Sequence, residues 1–382
     1  MEPFLLTADQ LRARDGGKWK KYPADVIPAF VADMDFKVAP AVQAAIGKLI
    51  DSQDYGYGQA ADTDALFEAF SGWMDRRHGW RPDPALTIAN SDVIQGLYST
   101  ILAFSEPGDG VIVHAPIYPP FLRAIEETGR RVVENPLVDD GTRFVIDIEG
   151  LELAASQARM ILLCNPHNPT GRVLDRTELE AIAAIAAEHD LTIIADEIHA
   201  DLVYSTETHI PMETVAAASE RTVTLHSATK SFNIAGLRTS IAHFGAVALK
   251  ERLVGVLPER LLGRPGRTGV AATIAAWCEA DAWLDEVMRY LDRNRHRVAE
   301  WAARANLGHH LPEATYLAWI DCRRLVLPER LSPQQYFLEH AKVGLTDGVD
   351  FGSPGRGHVR LNFGTSEEIL EELLKRLTAA LG

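Results

Sequence analysis

The sequence predicts an α/β fold: a mostly parallel sheet covered by helices on both faces, with a smaller α+β domain beside it. Apolar runs at residues 111–113, 160–164, 191–195 and 222–225 are too continuous for a sheet with one solvated face. Helix-spaced patterns separate these runs, among them the alanine-rich stretch 176–189. In such a fold ligands gather at the carboxyl ends of the strands, and the polar segments 114–121, 165–171, 196–199 and 227–230 all follow an expected strand. The expected division is a large domain over residues 45–282, with residues 1–44 and 283–382 forming an N-terminal arm and a small C-terminal domain.

Composition narrows the function classes. The 382 residues are 47% hydrophobic and 24% charged, the balance of a folded globular protein. A net charge of -15, with basic residues interspersed among acids, disfavours a nucleic-acid partner. Cys164, Cys278 and Cys322 are too few and too scattered for a disulfide framework or a zinc site, and no metal is expected. A reducing cytoplasm fits this usage. No apolar stretch approaches the ~20 residues that cross a bilayer, and no leader pattern precedes the arm, so no membrane partner is expected.

Along the chain, the first forty residues combine turn formers and aromatics: Lys18, Trp19 and Lys20, then Pro23 and Pro28, then Ala32, Asp33, Met34, Asp35 and Phe36. This reads as an arm laid across another part of the molecule. Gly56 and Gly58 flank Tyr57, two residues after Tyr55, which lets the backbone turn sharply and present a phenol. Apolar residues at 94, 97, 98, 101 and 102 form one face of a helix capped by Ser91 or Asp92. Unpaired amides at such a start, including that of Val93, can hold a phosphate, provided that the Asp92 carboxylate turns inward to cap. Residues 262–269 read as a flexible loop and 283–305 as a long helix. Strands are expected at 315–320 and 355–363, and Thr365 with Glu368 forms a capping box for a last helix whose buried face is Ile369, Leu370, Leu373, Leu374 and Leu377.

The chemistry centres on the stretch after the run 222–225. Lys230 stands at a strand end among Ser227, Thr229 and Ser231, with Arg238 eight residues on. A lone lysine is usually a solvated charge, but one held in a cleft can act as a nucleophile. Ser227, Thr229, Lys230, Asn233, Gly236 and Arg238, in that spacing, resemble the lysine signature of pyridoxal-phosphate aminotransferases of class I/II and their relatives. Thr239 and Ser240 depart from it, where an aliphatic residue and then Gly or Ala are usual.

The resemblance implies fold type I, the aspartate aminotransferase-like fold, and pyridoxal 5'-phosphate as cofactor, carried by Lys230 as a Schiff base. It assigns Asp196 to the ring nitrogen, Asn168, within the segment Asn165 to Gly171, to the phenolate, and Tyr118 to stacking on the ring. Ser91, Asp92, Val93, Ser227, Thr229 and Arg238 fall at phosphate or nearby cofactor positions. Arg360 matches the arginine that grips the substrate carboxylate. Tyr57 is expected to reach the phosphate of a partner subunit, which implies a homodimer with shared sites. His199 stands where aminotransferases usually carry tyrosine. With Asp33, Met34, Asp35 and Phe36, it is similar instead to the cystathionine β-lyase-like carbon–sulfur lyases.

Three residues, Lys230, Tyr57 and Tyr118, are the expected catalytic set, and Asp33, Met34 and Tyr55 join Arg360 as substrate-side candidates. A separate reading of Glu197, His199 and Asp201 is a metal cluster, which normally wants ligands from more than one element. The expected activity is β-elimination from an L-cysteine S-conjugate, giving thiol, pyruvate and ammonia. The same residues also permit an aminotransferase, a decarboxylating or cyclising relative in specialised metabolism, or a cofactor-binding regulator that acts through a partner.

Overall fold

Among the described residues, a seven-stranded sheet is built from β1 (Thr87–Asn90), β2 (Gly110–Val113), β3 (Arg131–Glu134), β4 (Met160–Cys164), β5 (Thr192–Asp196), β6 (Thr222–His226) and β7 (Ser240–Phe244), in the order β1-β7-β6-β5-β4-β2-β3. The computed structural model describes residues 4–258, 261–328 and 331–382, so the first three residues of the expected arm lie outside it. From β6 to β3 every pairing is parallel, whereas β7 runs antiparallel to both β6 and β1. The strands β1, β3 and β7 go beyond the four runs read from the sequence. β7 escaped because Ser240 and His243 interrupt its apolar run, although both are buried between neighbouring strands.

The continuous runs are explained by the two faces of the sheet. Along β4, Met160, Leu162 and Cys164 enter one core while Ile161 and Leu163 enter the other, the two-residue alternation of a strand covered on both sides. Eight helices position the rest: α1 (Ala60–His78), α2 (Val93–Phe104), α3 (Pro119–Glu127), α4 (Arg176–Glu188), α5 (Ala228–Ser231), α6 (Arg267–Glu279), α7 (Asp281–Arg304) and α8 (Glu367–Leu381). Leu97 and Ile101 of α2 and Phe121 and Ile125 of α3 cover the first face; Leu179, Ile182 and Ala186 of α4 cover the second. At about 25 cal/mol per Å² of apolar surface removed from water, these two layers supply the main stabilisation of the sheet.

The C-terminal part carries a three-stranded antiparallel sheet, β8 (Leu317–Asp321), β9 (Thr346–Asp347) and β10 (His358–Asn362), in the order β8-β10-β9. A third apolar core joins the arm residues Phe4, Ile27 and Phe36 to Trp73 of α1, Trp277 of α6, Leu284 of α7, Leu361 of β10 and Leu370 of α8. The arm is also pinned by polar contacts. Lys18 Nζ donates to Asp35 Oδ2 and to Asp33 O, both at 2.9 Å, and Trp19 Nε1 donates to Asp35 Oδ1 at 2.6 Å.

Two local expectations are corrected. Thr365 does not cap α8: Ser366 does, accepting from Ile369 N at 3.4 Å. The reason is that the Thr365 carbonyl accepts from Asn294 Nδ2 at 2.8 Å and its amide bonds Phe363 O, so the chain is still turning there. Residues 267–269 are the first turn of α6 rather than loop. Gly269 is required at that point, because a Cβ there would come within 2.3 Å of Leu237 O and of Thr239 Oγ1. No described helix is long and apolar enough to cross a membrane.

Candidate active site

At the carboxyl ends of β4, β5 and β6, a cavity of ≈ 140 Å³ is lined by Asp92, Val93, Tyr118, Asn168, Asp196, His199, Thr229 and Lys230, together with Ala32, Ile94, Cys164, Ile198 and Ala235. The first eight come from five separate stretches of chain that the sequence reading singled out. Ala32 belongs to the arm and closes the cavity with its backbone: its carbonyl accepts from Lys230 Nζ at 2.7 Å and from Tyr316 Oη at 3.0 Å.

Burial sets the electrostatics. The Lys230 amine is held below the ordinary lysine value by desolvation, with Asp33 and Asp196 pulling it back up and Arg360 pushing it further down. Asp196, the last residue of β5, is pushed up to about 7, chiefly by burial; its Oδ1 accepts from Ile198 N at 3.0 Å. His199 is held at about 3 by burial and by the positive charges of Lys230 and Arg360, so its ring is neutral. Its Nδ1 is buried without a hydrogen-bond partner. An unpaired buried polar atom of this kind costs about 1–3 kcal/mol, which a ligand can recover.

The helix start at α2 is capped by a side chain and backed by an arginine. Asp92 Oδ1 caps Gln95 N at 2.8 Å, and its other oxygen pairs with the guanidinium of Arg238. The carboxylate is thus engaged by the cap and its charge is offset by an arginine. Ser91 stands beside this turn, its amide bonded to Gln95 Oε1 at 3.3 Å. Ser227 is not at the cavity surface. Its Oγ caps α5 by accepting from Thr229 N at 3.1 Å and donates to Thr239 O at 2.6 Å, so its proton is already committed.

Arg360 lies on β10, 4% exposed, with burial lowering its pKa to about 10. Nη1 donates to Asn168 Oδ1 at 2.8 Å, Nη2 donates to Phe30 O at 2.9 Å, and Nε is unpaired. Among the described residues, no carboxylate pairs with this guanidinium. A buried cation with only neutral partners is costly, and an incoming carboxylate relieves that cost.

Eight expected residues do not line the cavity: Ser91, Ser227, Arg238 and Arg360, described above, and Asp33, Met34, Tyr55 and Tyr57. Met34 is 4% exposed and packs in the third core. Asp33 influences Lys230 through its charge while its backbone carbonyl holds Lys18 and Asn362. Tyr55 and Tyr57 project into solvent, with Tyr57 fully exposed. Their segment is tied to the head of α6 by Arg267, 2.8 Å from Asp54 Oδ2. Glu197, His199 and Asp201 do not converge: Glu197 faces His209 and Met212 N, whereas Asp201 faces Trp73 and His78.

The residue missed at the site is Cys164. The two-residue alternation that sends Leu162 and Met160 to one face already places it on the side that opens into the cavity. Burial first, and then the nearby Asp196, push its thiol well above the ordinary value, so it is present as the neutral thiol.

These groups fit pyridoxal phosphate. A buried acid, an amine whose pKa burial lowers, the Asn168 amide and a helix start backed by an arginine are the partners that its ring nitrogen, aldehyde, phenolate and phosphate call for.

Comparison with known proteins agrees with this reading. The profile of the family "Aminotransferase class I and II" matches residues 31–377. Cystathionine beta-lyase PatB of Bacillus subtilis (strain 168) is 35% identical over 367 residues, covering 94% of this chain and 93% of that protein. Cystathionine beta-lyase of Corynebacterium glutamicum is 33% identical over 380 residues, covering 98% of each. The solved structure of the PLP-bound C-S lyase from Staphylococcus hominis superposes with a TM-score of 0.91 at 28% identity, covering 97% of this chain and 96% of that one.

Proposed function

The chain belongs to the aminotransferase class I and II family, in its cystathionine β-lyase-like branch, and from that membership we propose that it is a pyridoxal-phosphate-dependent carbon–sulfur β-lyase acting on an L-cysteine S-conjugate. The overall reaction consumes one water and releases a thiol, pyruvate and ammonium. The supporting observation is the convergence of Lys230, Asp196 and Asn168 on one cavity, with Arg360 hydrogen-bonded to Asn168.

When bound, pyridoxal phosphate supplies an electron sink that acidifies the substrate α-carbon. Lys230 binds the cofactor and, once the substrate amine has displaced it, takes the α-proton through Nζ. Burial lowers the pKa of this amine, which favours the neutral form that accepts the proton. Asp196, ionised beside a cationic ring nitrogen, keeps a proton on that nitrogen. Arg360 holds the substrate carboxylate, and its bond to Asn168 sets the carboxylate in register with the cofactor phenolate. Tyr118 flanks the ring, and the α2 start with Arg238 holds the phosphate. The leaving sulfur needs no proton donor to depart from the β-carbon, because a thiolate is already a stable leaving group, and it takes up a proton from water afterwards.

His199, neutral and in place of the phenol usual in aminotransferases, favours elimination over transamination in this reading. The active unit is a homodimer in which the fully exposed Tyr57 completes the neighbour's phosphate site. The arm and residues 283–382 act as the smaller lobe against a larger one at 45–282. The three cysteines are unpaired, which supports a reducing cytoplasm.

The deciding experiment follows thiol and pyruvate together when the purified holoenzyme meets cystathionine or another L-cysteine S-conjugate with no 2-oxo acid present. Continuous release of both, in equal amounts, is expected. A reaction that stops after one equivalent, releases no thiol and resumes only when a 2-oxo acid is added would establish transamination instead.

A further inference from the structure

Behind the cavity lies a buried polar cluster that the reaction above does not use. Its centre is Asp201, five residues beyond Asp196 on the segment that leaves β5, with its side chain fully buried. Asp201 Oδ1 accepts from Trp73 Nε1 at 2.8 Å and faces His78 Nε2 at 3.2 Å, both from α1. Oδ2 accepts from Ser231 Oγ at 2.9 Å, with His226 Nε2 of β6 at 3.7 Å. Burial by itself raises the carboxyl pKa, but His226, His78 and Trp73 outweigh it and keep the group ionised.

Ser231 is the neighbour of Lys230 on α5, a helix of only four residues. So short a helix cannot hold its own geometry, because it has paid the nucleation cost without the propagation that recovers it. Its shape depends on anchors at its two ends. Ser227 is the anchor in front, through Thr229 N. Ser231, fully buried, is the anchor behind. Successive side chains on a helix diverge by about 100°, so Ser231 can be tied into the protein while Lys230 points into the cavity.

We infer that Asp201 is a positioning residue: through Ser231 it clamps the Lys230 turn to the segment 196–201, so that the Lys230 amine and the Asp196 carboxyl keep one spacing across the cavity. The inference rests on the roles proposed above for Lys230 and Asp196. A single short stretch thereby carries the acid that faces the cofactor ring and the anchor of the lysine that must reach the same cofactor. The α1 donors fix that stretch from the far side, which makes the lysine position independent of the mobility of its own turn.

The test uses Ser231→Ala, which removes one hydroxyl and no charge, alongside Asp201→Ala and the double variant. Ser71→Ala serves as a control, since it deletes another buried hydroxyl, bonded to Pro82 O at 2.7 Å, away from the cavity. Expected for Ser231→Ala is a kcat lower by about tenfold with KM changed less than about twofold. When cofactor-free protein is mixed with pyridoxal phosphate and quenched with borohydride at intervals, labelling of Lys230 should also slow by about tenfold. Ser71→Ala should lose thermal stability while keeping wild-type kcat and labelling rate. The double variant should be no slower than the worse single one, since both cut the same link. Should Asp201→Ala not fold, Ser231→Ala against Ser71→Ala decides alone. A Ser231→Ala protein with wild-type labelling rate and kcat overturns the inference. Borohydride labelling of a lysine other than Lys230 in the wild-type chain would instead overturn the functional reading, and the inference with it.

Discussion

Arg360 Nη1 donates to Asn168 Oδ1 at 2.8 Å, joining the last strand of the small sheet to the turn after β4 across 192 residues of chain. Through this bond the group proposed to hold the substrate carboxylate and the group proposed to hold the cofactor phenolate move as one. Arg360→Ala is expected to lower kcat/KM by about ten- to a hundredfold, the value of a charge-assisted hydrogen bond of roughly 1.5–3 kcal/mol. Arg360→Lys should recover only part of that loss, because an ammonium cannot reach Asn168 and a carboxylate with one fork. Steady-state kinetics on an L-cysteine S-conjugate gives the answer; an unchanged kcat/KM in Arg360→Ala removes the residue from the substrate site.

Asp196 makes a pH prediction for the cofactor-free protein. Its pKa in the fold, about 7, lies above the unfolded value of about 3.9, so between these values the folded state binds the extra proton. The stability contributed by this group is therefore full below about pH 4 and is lost as pH rises to about 7. His199, held at about 3, has the opposite slope below about pH 6.5, which is why a difference measurement is needed. The melting temperature of the wild type relative to Asp196→Asn should fall from pH 4 to pH 7 and then level off. A flat difference would mean that Asp196 is ionised in the empty site.

Tyr57 is solvent-exposed in the single chain, which suits a residue that serves a neighbour. Tyr57→Phe and Lys230→Ala proteins, each impaired alone, should regain activity when mixed and allowed to exchange subunits, because a mixed dimer then contains one intact site. Sedimentation of a fully active monomer, or mixtures no better than the separate variants, would end the shared-site proposal.

The arm offers a stability prediction separate from catalysis. Lys18 and Asp35 form a buried ion pair, with side chains 5% and 3% exposed. Removing one partner strands the other charge, so Lys18→Ala should cost roughly 3–5 kcal/mol. Replacing both by apolar residues should cost much less. Denaturant midpoints at constant m-value read this directly; a double-variant loss equal to the sum of the two single losses would show that the charges are not coupled.

Much of the site was legible in the sequence because strand ends are local signals. Continuous apolar runs marked β2, β4, β5 and β6, and the polar residues that follow a strand in a parallel sheet share one edge, so Tyr118, Asn168, Asp196 and Lys230 were brought to one cavity without knowledge of any contact. The last helix was legible for the same reason, through its spacing, while its cap moved from Thr365 to Ser366 once Asn294 held the turn.

What only the tertiary structure decided was side-chain direction and partnership. The sequence alone determined a mostly parallel α/β sheet, since periodicity is a property of neighbours, and its resemblance to the aminotransferases supplied the candidate cofactor residues. It did not determine that Asp92 pairs with Arg238, that Ser227 donates to Thr239, that Met34 packs inward, or that Asp201 reaches back to Ser231. Each of these links residues 12 or more apart, or one side chain to a core built from several helices. Burial fixes them because a polar group that leaves water without a partner is costly, and those partners exist only after the chain has folded.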